Sequence, residues 1–237
     1  MADGWSHVTV AGQPALLFEP GGSERPVRFA LLWLHSQIDG IGEPLGLTPW
    51  NALATLSAKH RLACLAPLAN QSWWVGETEK HLLSDVVPWM EERWKLPARA
   101  IAAAGIEMGG QGAVRLGLKH PSLFRAVGSV GGAIDFHELH GRGTPLDDLY
   151  ESRERCRQDI ATLHMHPSEW PPYIWFACDP ADPWFRGNDR LNEKLRAYGV
   201  PHTADLENTG PDYVERMLEP MLKFLADGLD RESRRLM

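Results

Sequence analysis

Cysteine is scarce in this chain: Cys64, Cys156 and Cys178 are the three among 237 residues, far apart and outside any CxxC spacing. An odd, dispersed set supports neither a disulfide framework nor a zinc knuckle, so buried free thiols are expected. Positive charge is also short, with 24 Lys and Arg against 31 Asp and Glu, a formal net charge of -7 and the two signs interspersed. That leaves no basic stripe to track a phosphate backbone, and nucleic acid is not an expected partner. No stretch approaches the roughly 18 uninterrupted apolar residues of a spanning helix, and the start, MADGWSHVTV, has neither a basic nor an apolar leader region. A soluble, cytoplasmic protein without a membrane partner is expected. Internal repeats and low-complexity tracts are lacking too, which excludes solenoid and array architectures.

What is present is a large apolar fraction, 43% hydrophobic against 23% charged residues, enough to bury a full core within a single domain spanning 1–237. Ten tryptophans are many for this length, and most should be core or pocket wall. Two short alternating segments, Ser6 to Val10 and Ala15 to Phe18, flank Gly12-Gln13-Pro14 and predict an entry hairpin. Beyond it, apolar runs alternate with helical periodicity, the pattern of a parallel sheet with helices on its faces. The strands fall at 29–34, 62–67, 100–105, 125–130, 173–178 and 203–206. Helices are predicted from Thr48-Pro49 to about Lys59, from Glu79 to Trp94 with a bend at Pro88, from the Gly-rich turn to about His120, over 188–198, and from about Tyr213 to Leu229. The charged stretch 135–166 reads as a small helical cap over the carboxyl edge of the sheet, the edge where such folds bind ligands.

The informative motif follows the strand of small residues AIAAAG. In Gly105-Ile106-Glu107-Met108-Gly109 the two glycines flank Glu107 between a strand and a helix, the spacing of a nucleophile elbow, whose strained turn needs small neighbours. With this motif, GIEMGGQGAVRLGLKHPSLFRAVGSVGGAIDF resembles the esterase branch of the α/β-hydrolase superfamily, the group of S-formylglutathione hydrolases, feruloyl esterases and mycolyltransferases. LLWLHS is similar to that family's strand before its His-Gly oxyanion loop, and SWWV with the acid-rich helix after it also fits. ACDPADPWFRGNDRLNEKLRAYGV looks like the acid-bearing loop and its following helix. The resemblance implies an α/β-hydrolase fold and a Ser-His-acid triad.

The residues depart from that implied triad. Glu107 stands where the family has serine, and the loop that usually reads Gly-His-aromatic reads Gly210-Pro211-Asp212-Tyr213, with Pro211 in the histidine slot. Asp182 fills the acid position. The resemblance puts the oxyanion-hole backbone donors at Gln37 and Met108, with Ser36 where glycine is usual. Without hydroxyl and imidazole, a triad keeps only positioning and oxyanion donors. A carboxylate at a helix amino terminus is itself favoured by orphan N–H groups and the helix dipole.

Two functions are consistent with these residues. The first is a triad-deficient member of the family without ordinary esterase activity, a pseudoenzyme that binds a ligand or partner. The second is an active hydrolase with altered chemistry, in which Glu107 is the nucleophile or base, helped by Asp182 and a histidine from the cap, His137, His140, His164 or His166. His35 is expected to hydrogen-bond loop backbone beside the pocket, and Trp73, Trp74 and Trp184 are candidate pocket walls. His202 is expected to be solvent-exposed. Glu107, Asp182, Asp212 and His35 share no recognised metal spacing, so neither metal nor cofactor is expected. A small-molecule ester or other ligand and a second copy of the chain remain the open partners.

Overall fold

A computed structural model describes residues 4–21, 26–36 and 49–235. The entry hairpin pairs β1 (Trp5–Val10) with β2 (Gln13–Phe18) through Ala11 and Gly12. Both turn residues have positive φ, 46° and 82°, and such turns match the twist of the strands they join. β3 (Phe29–Leu34), β4 (Leu62–Pro67), β5 (Ile101–Ile106), β6 (Ala126–Val130), β7 (Tyr173–Ala177) and β8 (Thr203–Asp205) complete an eight-stranded sheet ordered β1-β2-β4-β3-β5-β6-β7-β8. β1–β2 and β2–β4 are antiparallel and every later pairing is parallel. β3 to β7 are buried along their whole length, which is why their sequences are apolar without alternation.

Helices cover both faces. α1 (Trp50–His60) and α8 (Tyr213–Arg234) close one face, where Leu31, Trp33, Met221 and Leu225 share a core. On the other, α3 (Val87–Trp94), α4 (Met108–Lys119) and α7 (Phe185–Ala197) bring Met90, Val114, Leu116 and Leu191 onto Leu32 and Leu34. This is the α/β-hydrolase architecture expected from the chain.

Several boundaries differ from expectation for physical reasons. The helix before Trp94 starts earlier, as α2 (Gly76–His81), and it passes Pro88 through a π-helical turn at Leu82–Val86 rather than a simple bend. Proline has no N–H for an i→i−4 bond, and the wider turn, with Val87 N–H on the Leu82 carbonyl, absorbs the defect. The first helix opens at Trp50 after Pro49, and Thr48 lies outside the described residues. α7 begins three residues early because Asp182 and Trp184 nucleate its first turn, and α8 extends past Leu229 to Arg234. The stretch 135–166 forms isolated turns: 3-10 turns at Phe136–Leu139 and Ala161–Leu163, α5 (Leu146–Leu149) and α6 (Arg153–Arg157). Among the described residues, no helix is long and apolar enough to cross a membrane.

Candidate active site

Glu107 is the one residue that joins β5 to α4, with φ 50° and ψ -114°. This is a strained conformation for a residue with a side chain, and it persists because the surroundings hold the backbone from both sides. The Glu107 N–H donates to the Val130 carbonyl at 3.1 Å, and its carbonyl accepts from Gln111 and Ala133 N–H groups, both at 3.0 Å. The glycines on either side permit close approach to β3. A Cβ on Gly105 would stand 2.6 Å from the Gly109 carbonyl carbon, and one on Gly109 would overlap the Leu34 carbonyl and lie 2.6 Å from that of His35. Met108 opens α4, so its N–H is one of the helix's orphan donors, as the expected oxyanion role requires. The other expected donor, Gln37, lies outside the described residues.

Asp182 reaches the same edge from the loop after β7. Its Oδ1 accepts the Trp184 N–H at 2.7 Å, and its Oδ2 is 3.3 Å from where a Cβ on Gly131 would stand. Gly131 directly follows Val130, whose carbonyl holds the elbow, so Glu107 after β5 and Asp182 after β7 flank the end of the intervening β6. Burial pushes the Asp182 carboxyl above its ordinary range, against the opposing hydrogen bond from Trp184. Pro211 lies at this edge too, exposed on the loop between β8 and α8. Asp179 grips that loop, accepting from the Thr209 hydroxyl at 2.7 Å and the Gly210 N–H at 3.1 Å, while Arg216 donates to the Thr209 and Pro211 carbonyls. Asp212 caps α8 in the left-handed conformation with φ 54°.

The comparisons with known proteins agree with this fold. Residues 63–204 match the family model whose description is "Putative esterase". The chain belongs to this esterase family. The fluorophosphonate-binding serine hydrolase F of Staphylococcus aureus, solved with substrate bound, is similar in structure at TM-score 0.73 and 14% identity, over 94% of this chain and 98% of that one. A ferulic acid esterase superposes at TM-score 0.73 and 17% identity, over 94% and 97%. An S-formylglutathione hydrolase from Agrobacterium tumefaciens gives 0.70 and 12%, over 97% of each chain. Identities this low establish a common fold. No curated protein matches the sequence.

In this esterase-family chain His35 is locked as a backbone clamp. Its Nδ1–H donates to the Ser36 carbonyl at 2.5 Å and its Nε2 accepts the Ala69 N–H at 3.1 Å, which fixes the neutral tautomer. Burial pushes its pKa down to about 4, against the opposing bond to Ser36. Trp74 stacks edge-on against this ring at 4.9 Å and donates its indole N–H to the His35 carbonyl at 3.2 Å. Trp73 stacks on Phe136 at 5.8 Å, and its carbonyl accepts from the buried amide of Gln111. Both tryptophans are buried and hold α4 against the loop before α2; Trp73 is core, while Trp74 also borders a cleft with Asn70, Thr78 and His81. Trp184 is half-buried, caps α7 and accepts the Asn188 amide, which also bonds the Gly132 carbonyl.

All ten histidines are among the described residues, and three of those in the cap have hydrogen-bond partners of their own. In the cap, His140 bonds the Tyr150 carbonyl, His164 the Asp159 carboxylate and His166 the Ser168 hydroxyl. His137 lines a separate cleft with Asp135 and Arg190. His202 is not solvent-exposed as expected: it stacks on Phe176 and bonds the Val200 carbonyl and Asn192, joining β8 to α7. The described residues contain no cluster of three metal-ligating side chains. Sequence reasoning missed Asp179 as the residue that fixes the Pro211 loop, although an Asp two residues before Ala181, whose N–H it accepts, is an Asx-turn signal.

Proposed function

We propose that this esterase-family protein lacks the serine and histidine of the family's triad and does not turn over esters by the ordinary route, its site serving to bind a ligand or partner. The observation that carries the reading is a glutamate, Glu107, at the strained elbow between β5 and α4 where the triad calls for serine, with Pro211 on the β8–α8 loop where it calls for histidine. Serine attack needs an imidazole to take the hydroxyl proton and return it to the leaving alcohol. A carboxylate attacking an ester carbonyl would form an anhydride and expel an alkoxide. Proton delivery to that alkoxide and activation of water against the anhydride both call for a general acid and base in reach. Proline at position 211 supplies neither. Asp182, with its proton affinity raised by burial, is held by backbone and lacks an imidazole to orient.

The test is hydrolysis of short-chain p-nitrophenyl esters by wild type, Glu107→Gln and the double variant Glu107→Ser, Pro211→His. Wild type should be no faster than the roughly 10³ to 10⁴ over water left in triad-deleted hydrolases. The double variant should gain activity on the intact scaffold. Robust wild-type hydrolysis abolished in Glu107→Gln would establish a carboxylate mechanism and overturn the reading.

A further inference from the structure

At the opposite edge of the sheet, where β3 and β5 begin, lies a pocket of about 510 Å³ that the elbow chemistry does not use. Its floor is apolar: Phe29 opening β3, Trp94 at the end of α3, and Leu229 in α8, with Val27, Leu96 and Pro97 on the walls. Phe29, Trp94 and Leu229 are buried, so the surface on offer is the inner face of the core. The walls are preset. Lys95 ends α3 in the left-handed conformation at φ 54°, Glu91 accepts the Ala98 N–H at 2.6 Å, and the Trp94 indole N–H is tied outward to Glu19 at 2.7 Å.

The polar rim is asymmetric in charge. The carboxylate of Glu232 borders the pocket but is engaged by Arg125 at 3.2 Å and Arg235 at 3.0 Å. Arg28 is engaged by Asp230. Lys95 and Arg99 line the same pocket and, among the described residues, have no carboxylate partner. In a chain carrying seven more negative than positive groups, two uncompensated cations beside an apolar hollow form a complementary pair of features. The volume falls within the roughly 300 to 1,000 Å³ usual for small-molecule sites.

We infer that this pocket binds an amphipathic monoanion, an acyl or aryl carboxylate whose apolar body packs between Phe29, Trp94 and Leu229 while its carboxylate meets Lys95 and Arg99. Apolar area supplies the affinity, and the two cations select the anion over a neutral analogue. The site is independent of Glu107 and stands whether or not the elbow is catalytic.

Calorimetric titration of the full chain with decanoate, with decanol as the neutral control and nuclear magnetic resonance mapping of the perturbed amides, tests it. Decanoate should bind and perturb residues around Phe29, Leu96 and Leu229. The exposed-residue double variant Lys95→Gln, Arg99→Gln should bind about tenfold more weakly, the sum of two partly screened charge contacts. Decanol should also bind about tenfold more weakly than decanoate to wild type. Undetectable binding at millimolar decanoate, equal affinity for decanol, an unchanged double variant, or perturbations confined to the elbow edge would each overturn the inference.

Discussion

Glu79→Gln should cost the protein about 3 kcal/mol near neutral pH, and the loss should fade in acid. The Glu79 side chain is buried on α2 and receives Arg115 at 2.7 Å, Lys119 at 2.8 Å and His120 at 3.1 Å, all from α4 or its end. Arg115, itself 1% exposed, turns its other nitrogens to the Asp159 carbonyl at 2.7 Å and carboxylate at 2.5 Å. Asp159 in turn accepts the Tyr150 hydroxyl at 2.6 Å and His164 at 2.9 Å, so one guanidinium ties the elbow helix to α2 and to the cap. Burial would raise the Glu79 carboxyl, but the His120 hydrogen bond, the Arg115 charge and the Lys119 bond outweigh it and bring the pKa from 4.5 to about 2. At about 1.36 kcal/mol per pH unit that displacement is about 3 kcal/mol, similar to the usual 3–5 kcal/mol for breaking a buried pair. A carboxylate whose folded pKa is depressed contributes fully above its unfolded value and loses the contribution as pH falls through the folded one. Urea unfolding followed by tryptophan fluorescence should therefore show the full difference near pH 7 and a much smaller one by about pH 2 to 3. A difference under about 0.5 kcal/mol near neutrality, or one constant across that window, would refute the assignment of charge pairing as its source.

Gly109→Ala should prevent stable folding or remove several kcal/mol, since its Cβ would overlap the Leu34 carbonyl and neither backbone can retreat; soluble yield and thermal unfolding check this, and a near-native melting temperature would count against the elbow packing. His35 should remain neutral in the native protein down to about pH 4, read from its imidazole nitrogen shifts. Because its pKa is lowered from 6.5, the stability tied to this neutral ring is complete above that value and declines as pH falls toward 4; an imidazole titrating near 6.5 would contradict the clamp.

Much of this fold was legible in the chain because its central strands are apolar on both faces and its turns carry Gly or Pro where the backbone demands them. Gly105 and Gly109 marked the elbow, since no side chain fits against β3 there. The hairpin was legible from period-two alternation, and its register follows from Ala11-Gly12. What escaped was set by tertiary partners. The cap's charged sequence suggested longer helices, but Asp159 bonds Arg115 while Tyr150 and His164 bond Asp159, and the segment is held by that network more than by its own helical bonds. The pairing of His202 with Asn192 joins groups ten residues apart that only the β7–α7–β8 arrangement brings together. Trp73 and Trp74 were recognisable as important aromatics, but which side of the loop they faced depended on α4.

The most direct test of the central claim is the intact mass of wild-type protein after incubation with a fluorophosphonate. An activated serine would displace fluoride and retain the phosphonyl group, whereas the account, with Glu107 at the elbow and Pro211 in the loop, predicts no added mass in wild type and a single adduct on the new serine of the Glu107→Ser, Pro211→His variant. A stoichiometric adduct on a native serine at this edge, such as Ser36, would contradict it.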